Sequence, residues 1–361
     1  MALSRHIFIL ITFVALASCD FEKDAKKTAN LPLANGKPGE IIVVIDSAQW
    51  QGNVGKELRK IFHESVPFIP REEQLFALNQ IAPGDFQSIL KMQKNIIFVT
   101  VLGDKSDGNR RLKTYFTPES LKMIQEDPSL FMFEKQDEYA RGQEVLHLFS
   151  ETEDILINNL VKNKEKLQQH FLDIEEKRSY SALYSVKYEK GITQHIKEKL
   201  QCDLMVPIGF EIAMEENNFI WLRNFNPDVD KSVFISWVEY SSEDMFSLDS
   251  LIKLRTEISK PYILYKPEDP TSYMLTETDH FDVFRQEINF KGNYAVKLRG
   301  LWKINNYYMG GPFLSYAMVD KTTNRLYYIE AFLYSPGKPQ RDDMRELDTI
   351  LRTFNVSDSP V

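Results

Sequence analysis

Around residue 150 the hydrophobic period of this chain changes, and that change limits the fold more than any other feature. Before it, short apolar runs alternate with stretches of helical spacing. Residues 40–46, 95–101 and 143–149 are nearly continuous apolar runs, the pattern of buried strands. Between them Val54, Leu58, Ile61 and Phe62 recur at helical spacing over residues 53–63. Residues 83–94 predict a second helix, 103–109 read as loop, and Thr117 with Pro118 supplies a cap and a first-turn proline for another helix. The pattern predicts a small α/β sandwich over residues 40–150.

A helical period follows. Ser150 and Glu153 form a capping box ahead of Leu156, Leu160, Leu167, Phe171 and Ile174, which share one face, while Lys162, Lys164, Glu165, Glu175, Glu176 and Lys177 occupy the others. Residues 151–189 are therefore read as a linking helical segment. Residues 190–361 begin with a shorter helix carrying Ile192, Ile196 and Leu200 and then turn to strands, at 202–206, 210–214, 218–224, 232–240, 272–278, 294–304, 313–320 and 325–334. The polar turn at 320–324 makes the last two a hairpin. One helix, 248–259, is stopped by Pro261, and a second, 341–354, closes the chain with Met344, Leu347, Leu351 and Phe354 on its buried stripe. The expected class is α+β: an N-terminal small α/β sandwich, a long linking helix, and a C-terminal antiparallel sheet with packed helices.

The first 39 residues do not fold in this way. Arg5 and His6 precede an apolar run at 7–17, and Leu16-Ala17-Ser18-Cys19 follows, the order a secretory signal needs. The run is short for a membrane span. These four residues resemble the bacterial lipobox, which implies cleavage of residues 1–18 and acylation of Cys19. Two or more acyl chains anchor stably where one is marginal. Residues 19–39 are too poor in apolar groups to form a core and read as a flexible tether. Asp20, Glu22 and Asp24 resemble the surface-export signals of some Bacteroidetes lipoproteins, although a solvated linker accounts for them better. The expected place is the cell envelope, lipid-anchored, with the outer membrane favoured.

Composition narrows the partners. The chain has 361 residues, 43% hydrophobic and 12% aromatic, enough for real cores, and a net charge of −8 that becomes −9 without Arg5. An acidic balance disfavours nucleic acid, which needs clustered Lys and Arg. With Cys19 lipidated, Cys202 is the remaining cysteine and no intramolecular disulfide forms. It lies among apolar neighbours and reads as a buried free thiol.

No catalytic signature emerges. His63, His147, His170, His195 and His280 contain no pair at metal-ligand spacing, so no metal and no cofactor is expected. His170 and His195 read as lying on solvated helices, and His147 as a satisfied structural imidazole in a strand. Gly52, Gly55 and Lys56 fall short of a phosphate loop, with Glu57 where Ser or Thr belongs. There is no Gly-x-Ser-x-Gly elbow, and Ser-x-x-Lys occurs without companion motifs.

Four segments carry a resemblance: residues 219–223 (Phe-Ile-Trp-Leu-Arg), 299–302 (Arg-Gly-Leu-Trp), 309–313 (Met-Gly-Gly-Pro-Phe) and 345–352. In combination they resemble an uncharacterised lipoprotein family of Bacteroidetes, domain of unknown function 4837, which implies no activity. The order of elements after Val206-Pro207-Ile208-Gly209-Phe210, ending in Leu326-Tyr327-Tyr328-Ile329 and a final helix, resembles the PsbP/Mog1-type αβα sandwich. That fold mostly hosts accessory and binding modules, an analogy of fold alone.

One constellation is a candidate for binding. Along 294–304 the even positions Tyr294, Val296, Leu298, Trp302 and Ile304 face one way and Lys297, Arg299 and Lys303 the other, giving a core face and a cationic face. Phe219, Trp221 and Arg223 share a face, and Glu330 is the single charge in an apolar strand. Either an aromatic groove places Arg223 and Arg299 as anion clamps, or Glu330 pairs with one arginine and the aromatics fill the core. Gly310 and Gly311 either let a ligand approach the backbone or make the turn between two strands. Three functional classes follow: a non-catalytic envelope lipoprotein that binds an envelope protein or glycan, a hydrolase or carbohydrate-active enzyme with acids from separate strands, and a structural spacer.

Overall fold

The computed structural model describes residues 30–356; the signal, Cys19 and most of the tether lie outside them. Two compact units form, one from residues up to Glu64 and Gln74–Phe171, the other from Ser65–Glu73 and the chain from Leu172 onward. The division thus falls inside the segment 151–189, and nine residues from the first half of the sequence pack with the second unit.

In the first unit the apolar runs become strands β1 (Glu40–Val44), β3 (Asn95–Val101) and β5 (Glu144–Ser150). With β2 (Ala77–Ile81) and β4 (Met132–Gln136) they form one sheet, ordered β2-β1-β3-β5-β4. All pairs are parallel except the edge pair of β4 with β5. Burial of β3 and β5 along their whole length explains why they read as unbroken apolar runs. Among the described residues, the helices that lie wholly in this unit are α1 (Ser47–Gln51), α2 (Asn53–Phe62), α3 (Asp107–Lys113), α4 (Pro118–Glu126) and α5 (Glu153–Lys162). The stripe Val54, Leu58, Ile61 and Phe62 is buried as its spacing requires. Thr117 caps α4 by accepting from the Ser120 amide.

Several local expectations fail. Residues 83–94 form only a short 3-10 turn at Ser88–Met92, because Ser88 adopts a left-handed φ of 43° and Ile89 faces outward. The loop expected at 103–109 contains the start of α3, capped by Ser106. The cap of α5 is Thr152, which accepts from the Ile155 amide, while Ser150 ends β5. The helix that follows is not continuous: Asn163 breaks it, and α6 (Lys164–Tyr184) starts anew.

The second unit continues with α7 (Lys190–Leu200), β6 (Cys202–Asp203), β7 (Glu211–Glu216), β8 (Phe219–Asn224), β9 (Asp230–Glu239) and α8 (Leu248–Ser259). Then come β10 (Met274–Glu277), β11 (Phe284–Phe290), β12 (Asn293–Ile304), β13 (Tyr307–Asp320), β14 (Arg325–Tyr334), α9 (Arg341–Leu351) and β15 (Asn355–Val356). An eight-stranded antiparallel sheet runs β10-β12-β13-β14-β9-β8-β7, with β11 also on β12, and β6 pairs separately with β15. Alternation assigns its two faces. Ala295, Leu314, Tyr316, Met318, Tyr327, Ile329 and Leu333 pack under α7 and α9, with Ile196, Leu200, Leu347, Ile350 and Leu351. Val296, Leu298, Trp302, Phe313, Tyr328 and Phe332 pack under α8, with Leu251, Leu254 and Ile258. Each fully buried Val, Leu, Ile, Phe or Met among them contributes about 1.5–3 kcal/mol on burial. The unit is α+β, helices on both sides of an antiparallel sheet. Because both faces are covered, β12 has no cationic outer face: Lys297 is only 3% exposed.

Candidate functional site

The residues predicted to form a groove do not come together. Arg299 stands opposite Leu314 and Glu330 opposite Ser315 in the registers of β13, one position apart, so their side chains leave the sheet on opposite faces. Glu330 pairs with Arg255 of α8, Nε to Oε2 at 2.8 Å and Nη2 to Oε1 at 2.7 Å. Tyr328 donates to Glu330 at 2.9 Å, and Arg255 also donates to Thr276 and lies 4.1 Å from the Phe313 ring centre. Burial pushes the Glu330 carboxyl up, and the Arg255 charge opposes it. Arg223 is held by Asp230, with Nε 2.9 and 3.0 Å from the two carboxylate oxygens, and so is no open clamp. Trp221 packs against the cluster under α8, with its ring 5.8 Å from the Arg223 guanidinium.

Gly310 and Gly311 are not a turn but part of β13, opposite Lys303 and Trp302. The Trp302 indole donates across Gly311 to the Leu333 carbonyl at 3.1 Å. A Cβ at 311 would lie 2.1 Å from that oxygen and 3.2 Å from the indole nitrogen, which is why only glycine fits. The close approach is made by the protein itself.

On the opposite face a different constellation forms. Lys297 donates to Asp348 of α9 at 2.8 Å, and the Tyr316 hydroxyl donates to the other oxygen of that carboxylate. Arg352 lies 3.6 Å from Asp348 and 3.4 Å from Glu176 of α6. Burial, aided by the Arg299 and Arg352 charges and opposed by Asp348, pulls the Lys297 ammonium down to about 8. Burial alone would raise the Asp348 carboxyl; the Lys297 and Arg352 charges outweigh it and hold Asp348 below the usual range. Burial and the Asp348 charge push the Tyr316 phenol well up. The pair is charged at neutral pH.

This network opens into a cleft of about 590 Å³ between α6 and α9. Asp173, Glu176, Lys177, Tyr180, Ser181, Thr349, Arg352 and Thr353 line it, two carboxylates and two cations among four hydroxyl-bearing side chains. Tyr180 is exposed, and its ring centre lies 5.0 Å from that of Tyr184. The spacing of Glu176, Tyr180 and Thr349 along two helices was visible in the sequence, but nothing there paired the helices. A larger depression of about 870 Å³ holds Arg285, whose guanidinium is already engaged by Glu287 and the Phe246 carbonyl.

Two of the histidines, His170 and His147, behave differently from expectation. His170 is not solvated: its ring nitrogens face Glu134 and Glu144 at 3.4 and 3.1 Å, a group that could hold an ion, as could Glu277, Asp279 and His280. His195 pairs with Glu215 at 2.7 Å. His147 is stacked between Phe98 and Phe133, ring centres 4.8 and 4.3 Å away, and its Nδ1 has no partner among the described residues, so it is buried but not satisfied. Burial, and the Lys135 charge after it, lower it to about 4. Cys202 is buried and its thiol is pushed up by burial, as expected of an inert core cysteine.

Comparison with known proteins gives families without activities. No curated protein matches the chain. Among solved structures it is similar to a Mog1 point mutant, at 13% identity and a TM-score of 0.30 over 44% of this chain and 92% of that one. The Ran-binding protein Mog1p of Saccharomyces cerevisiae gives 13%, 0.29, 44% and 91%. The human StarD13 lipid transfer and protein localization domain gives 13%, 0.21, 46% and 95%. Residues 34–183 match the family described as Domain of unknown function (DUF8532). Residues 189–353 match Domain of unknown function (DUF4837), so the second half of this chain, which contains residues 219–223, 299–302, 309–313 and 345–352, is similar to an uncharacterised family.

Proposed function

We propose that this chain is a lipid-anchored envelope lipoprotein of the Bacteroidetes type, held through Cys19, and that its second unit binds a polyhydroxylated envelope saccharide in the cleft between α6 and α9. The anchor rests on the order of charged start, apolar run and Leu16-Ala17-Ser18-Cys19. The ligand class rests on one observation: the cleft presents carboxylate acceptors, cationic donors and hydroxyl groups in balance, beside the exposed Tyr180 ring. A neutral sugar satisfies such a lining, since each hydroxyl both donates and accepts and a ring face stacks on an aromatic. A strongly charged ligand leaves one pair of ionic groups uncompensated. The network of Lys297, Asp348 and Tyr316 fixes Arg352 in the wall of the cleft, which keeps the site preformed.

Calorimetry and saturation-transfer NMR with oligosaccharides released from the producing bacterium's envelope test the ligand. Tyr180→Ala and Arg352→Gln should each weaken binding at least about tenfold, the loss of one good contact. No saccharide binding, or binding indifferent to both variants, overturns it. Cys19→Ala tests the anchor: the protein should remain an uncleaved precursor or move to the soluble fraction. Unchanged membrane retention after a high-salt wash overturns that part.

A further inference from the structure

The first unit holds a second candidate site, independent of the cleft. β4 runs antiparallel to β5 with Gln136 opposite Glu144 and Glu134 opposite Leu146, so Glu134 and Glu144 are diagonal neighbours on one face of the sheet. Long side chains reach each other across such a diagonal. His170 comes from α6, next to the fully buried Phe171, whose ring meets the imidazole edge-on with centres 5.1 Å apart. The imidazole stands against both carboxylates: Nε2 is hydrogen-bonded to Glu144 Oε1 at 3.1 Å, and Nδ1 is 3.4 Å from Glu134 Oε2. All three residues belong to the first unit.

Three ligand atoms converge here. One imidazole nitrogen and one oxygen from each carboxylate lie within 4.8 Å of one another. An ion at the centre of atoms so spaced is at most about 2.8 Å from each, so shifts below about 1 Å bring all three to the roughly 2.0–2.2 Å of a zinc bond.

The charges, a separate matter from the geometry, do not balance within the protein. Glu144 is only 3% exposed, yet among the described residues neither it nor Glu134 has a Lys or Arg within ion-pair distance. His170 is their one ionic partner there, and even protonated it brings a single positive charge against two negative ones. Neighbouring like charges repel, and a buried carboxylate needs its charge paired. A divalent cation supplies both charges and takes the imidazole as a neutral ligand. The cluster of Glu277, Asp279 and His280 in the second unit is the contrasting case, because Lys303 already pairs with both of its carboxylates, at 2.9 and 2.5 Å.

We propose that Glu134, Glu144 and His170 form a binding site for a divalent metal ion of the zinc type. Imidazole nitrogen together with carboxylate oxygen is a set that zinc takes, whereas calcium and magnesium take oxygen ligands. Three protein ligands leave a fourth position for water or an exchangeable group. Histidine spacing is blind to the site, because a single histidine takes part and its partners lie on two strands earlier in the chain.

The test uses the full chain after chelator treatment, titrated by calorimetry with zinc and, separately, with calcium, and followed by thermal melting. One zinc should bind here with a dissociation constant below about 10 μM, undisturbed by a roughly hundredfold excess of calcium. Saturation with zinc should raise the melting temperature of the first unit by several degrees. His170→Asn should abolish both effects, and Glu134→Gln, at an exposed position, should weaken binding by at least the roughly tenfold that even an outer-shell change costs. His280→Ala, in the other cluster, should leave this binding as it is. No zinc binding up to about 100 μM, or binding of wild-type strength in His170→Asn or Glu134→Gln, overturns the site, as does its loss in His280→Ala. Should His170→Asn fail to fold, the wild-type titration and Glu134→Gln decide the matter.

Discussion

Arg255 of α8 and Glu330 of β14 meet in a two-point ion pair with neither side chain exposed. Desolvating two charges costs several kcal/mol each, and the attraction repays it only with good geometry and further hydrogen bonds. Tyr328 and Thr276 supply those bonds. The pair therefore ties one helix at one register to the middle of the sheet.

Breaking it from one side should be costly. Arg255→Met or Glu330→Gln alone should destabilise the second unit by about 3–5 kcal/mol, because each leaves a buried charge or its polar partners uncompensated. The double variant Arg255→Met with Glu330→Leu should lose much less than the sum, a coupling that a double-mutant cycle in denaturant reads directly. Arg299→Ala, which touches neither, should lie within about 1 kcal/mol of the wild type.

That pairing also marks what a sequence can and cannot show. Alternation placed Glu330 and Trp302 correctly on the sheet, and it put Arg299 on the other side from Trp302, as found. It could not name Arg255, which comes from a helix 75 residues away. The strands β1, β3 and β5 were legible because both their faces are buried, whereas β2 and β4 are half-buried edges with mixed side chains and gave no period. The proposed cleft was illegible for a related reason: its residues lie on two helices whose pairing depends on tertiary packing alone.

Gly311 should tolerate no side chain. A methyl group there meets the Leu333 carbonyl, so Gly311→Ala must displace β14 and with it the acceptor of the Trp302 indole. A loss of about 2–4 kcal/mol is expected, overpacking plus a stranded hydrogen bond. Trp302→Phe keeps the ring and loses only the donor, so it should cost about 1–2 kcal/mol. Equal losses in the two variants would show that the indole bond, not the backbone approach, sets the requirement.

Lys297 should give the second unit an alkaline signature. Its ammonium titrates at about 8 in the folded chain against 10.5 when free, so between those values the unfolded chain holds more protons. Stability from this group therefore rises with pH across that window, by roughly 3 kcal/mol in total. Asp348 acts at the other end: its lowered carboxyl stabilises above its ordinary range and is lost as pH falls. Lys297→Met should flatten the alkaline rise in denaturant melts taken from pH 7 to 10.5, and an unchanged slope would place the lysine in water.

His147 carries the corresponding acid signature in the first unit. Stacked between Phe98 and Phe133, it is 2% exposed and titrates at about 4 against 6.5 when free. Below 6.5 the unfolded chain takes up a proton that the folded chain refuses, so stability falls as pH drops from 6.5 towards 4. The loss is roughly 3 kcal/mol when complete. His147→Phe keeps an aromatic ring in the stack and removes both the proton acceptor and the unpartnered Nδ1. The variant should match or exceed the wild type at pH 7 and should lose the histidine's share of the decline between pH 6.5 and 4, measured on the unfolding transition of the first unit. Should the two proteins decline in parallel, the imidazole is reached by water or by a carboxylate and does not resist protonation.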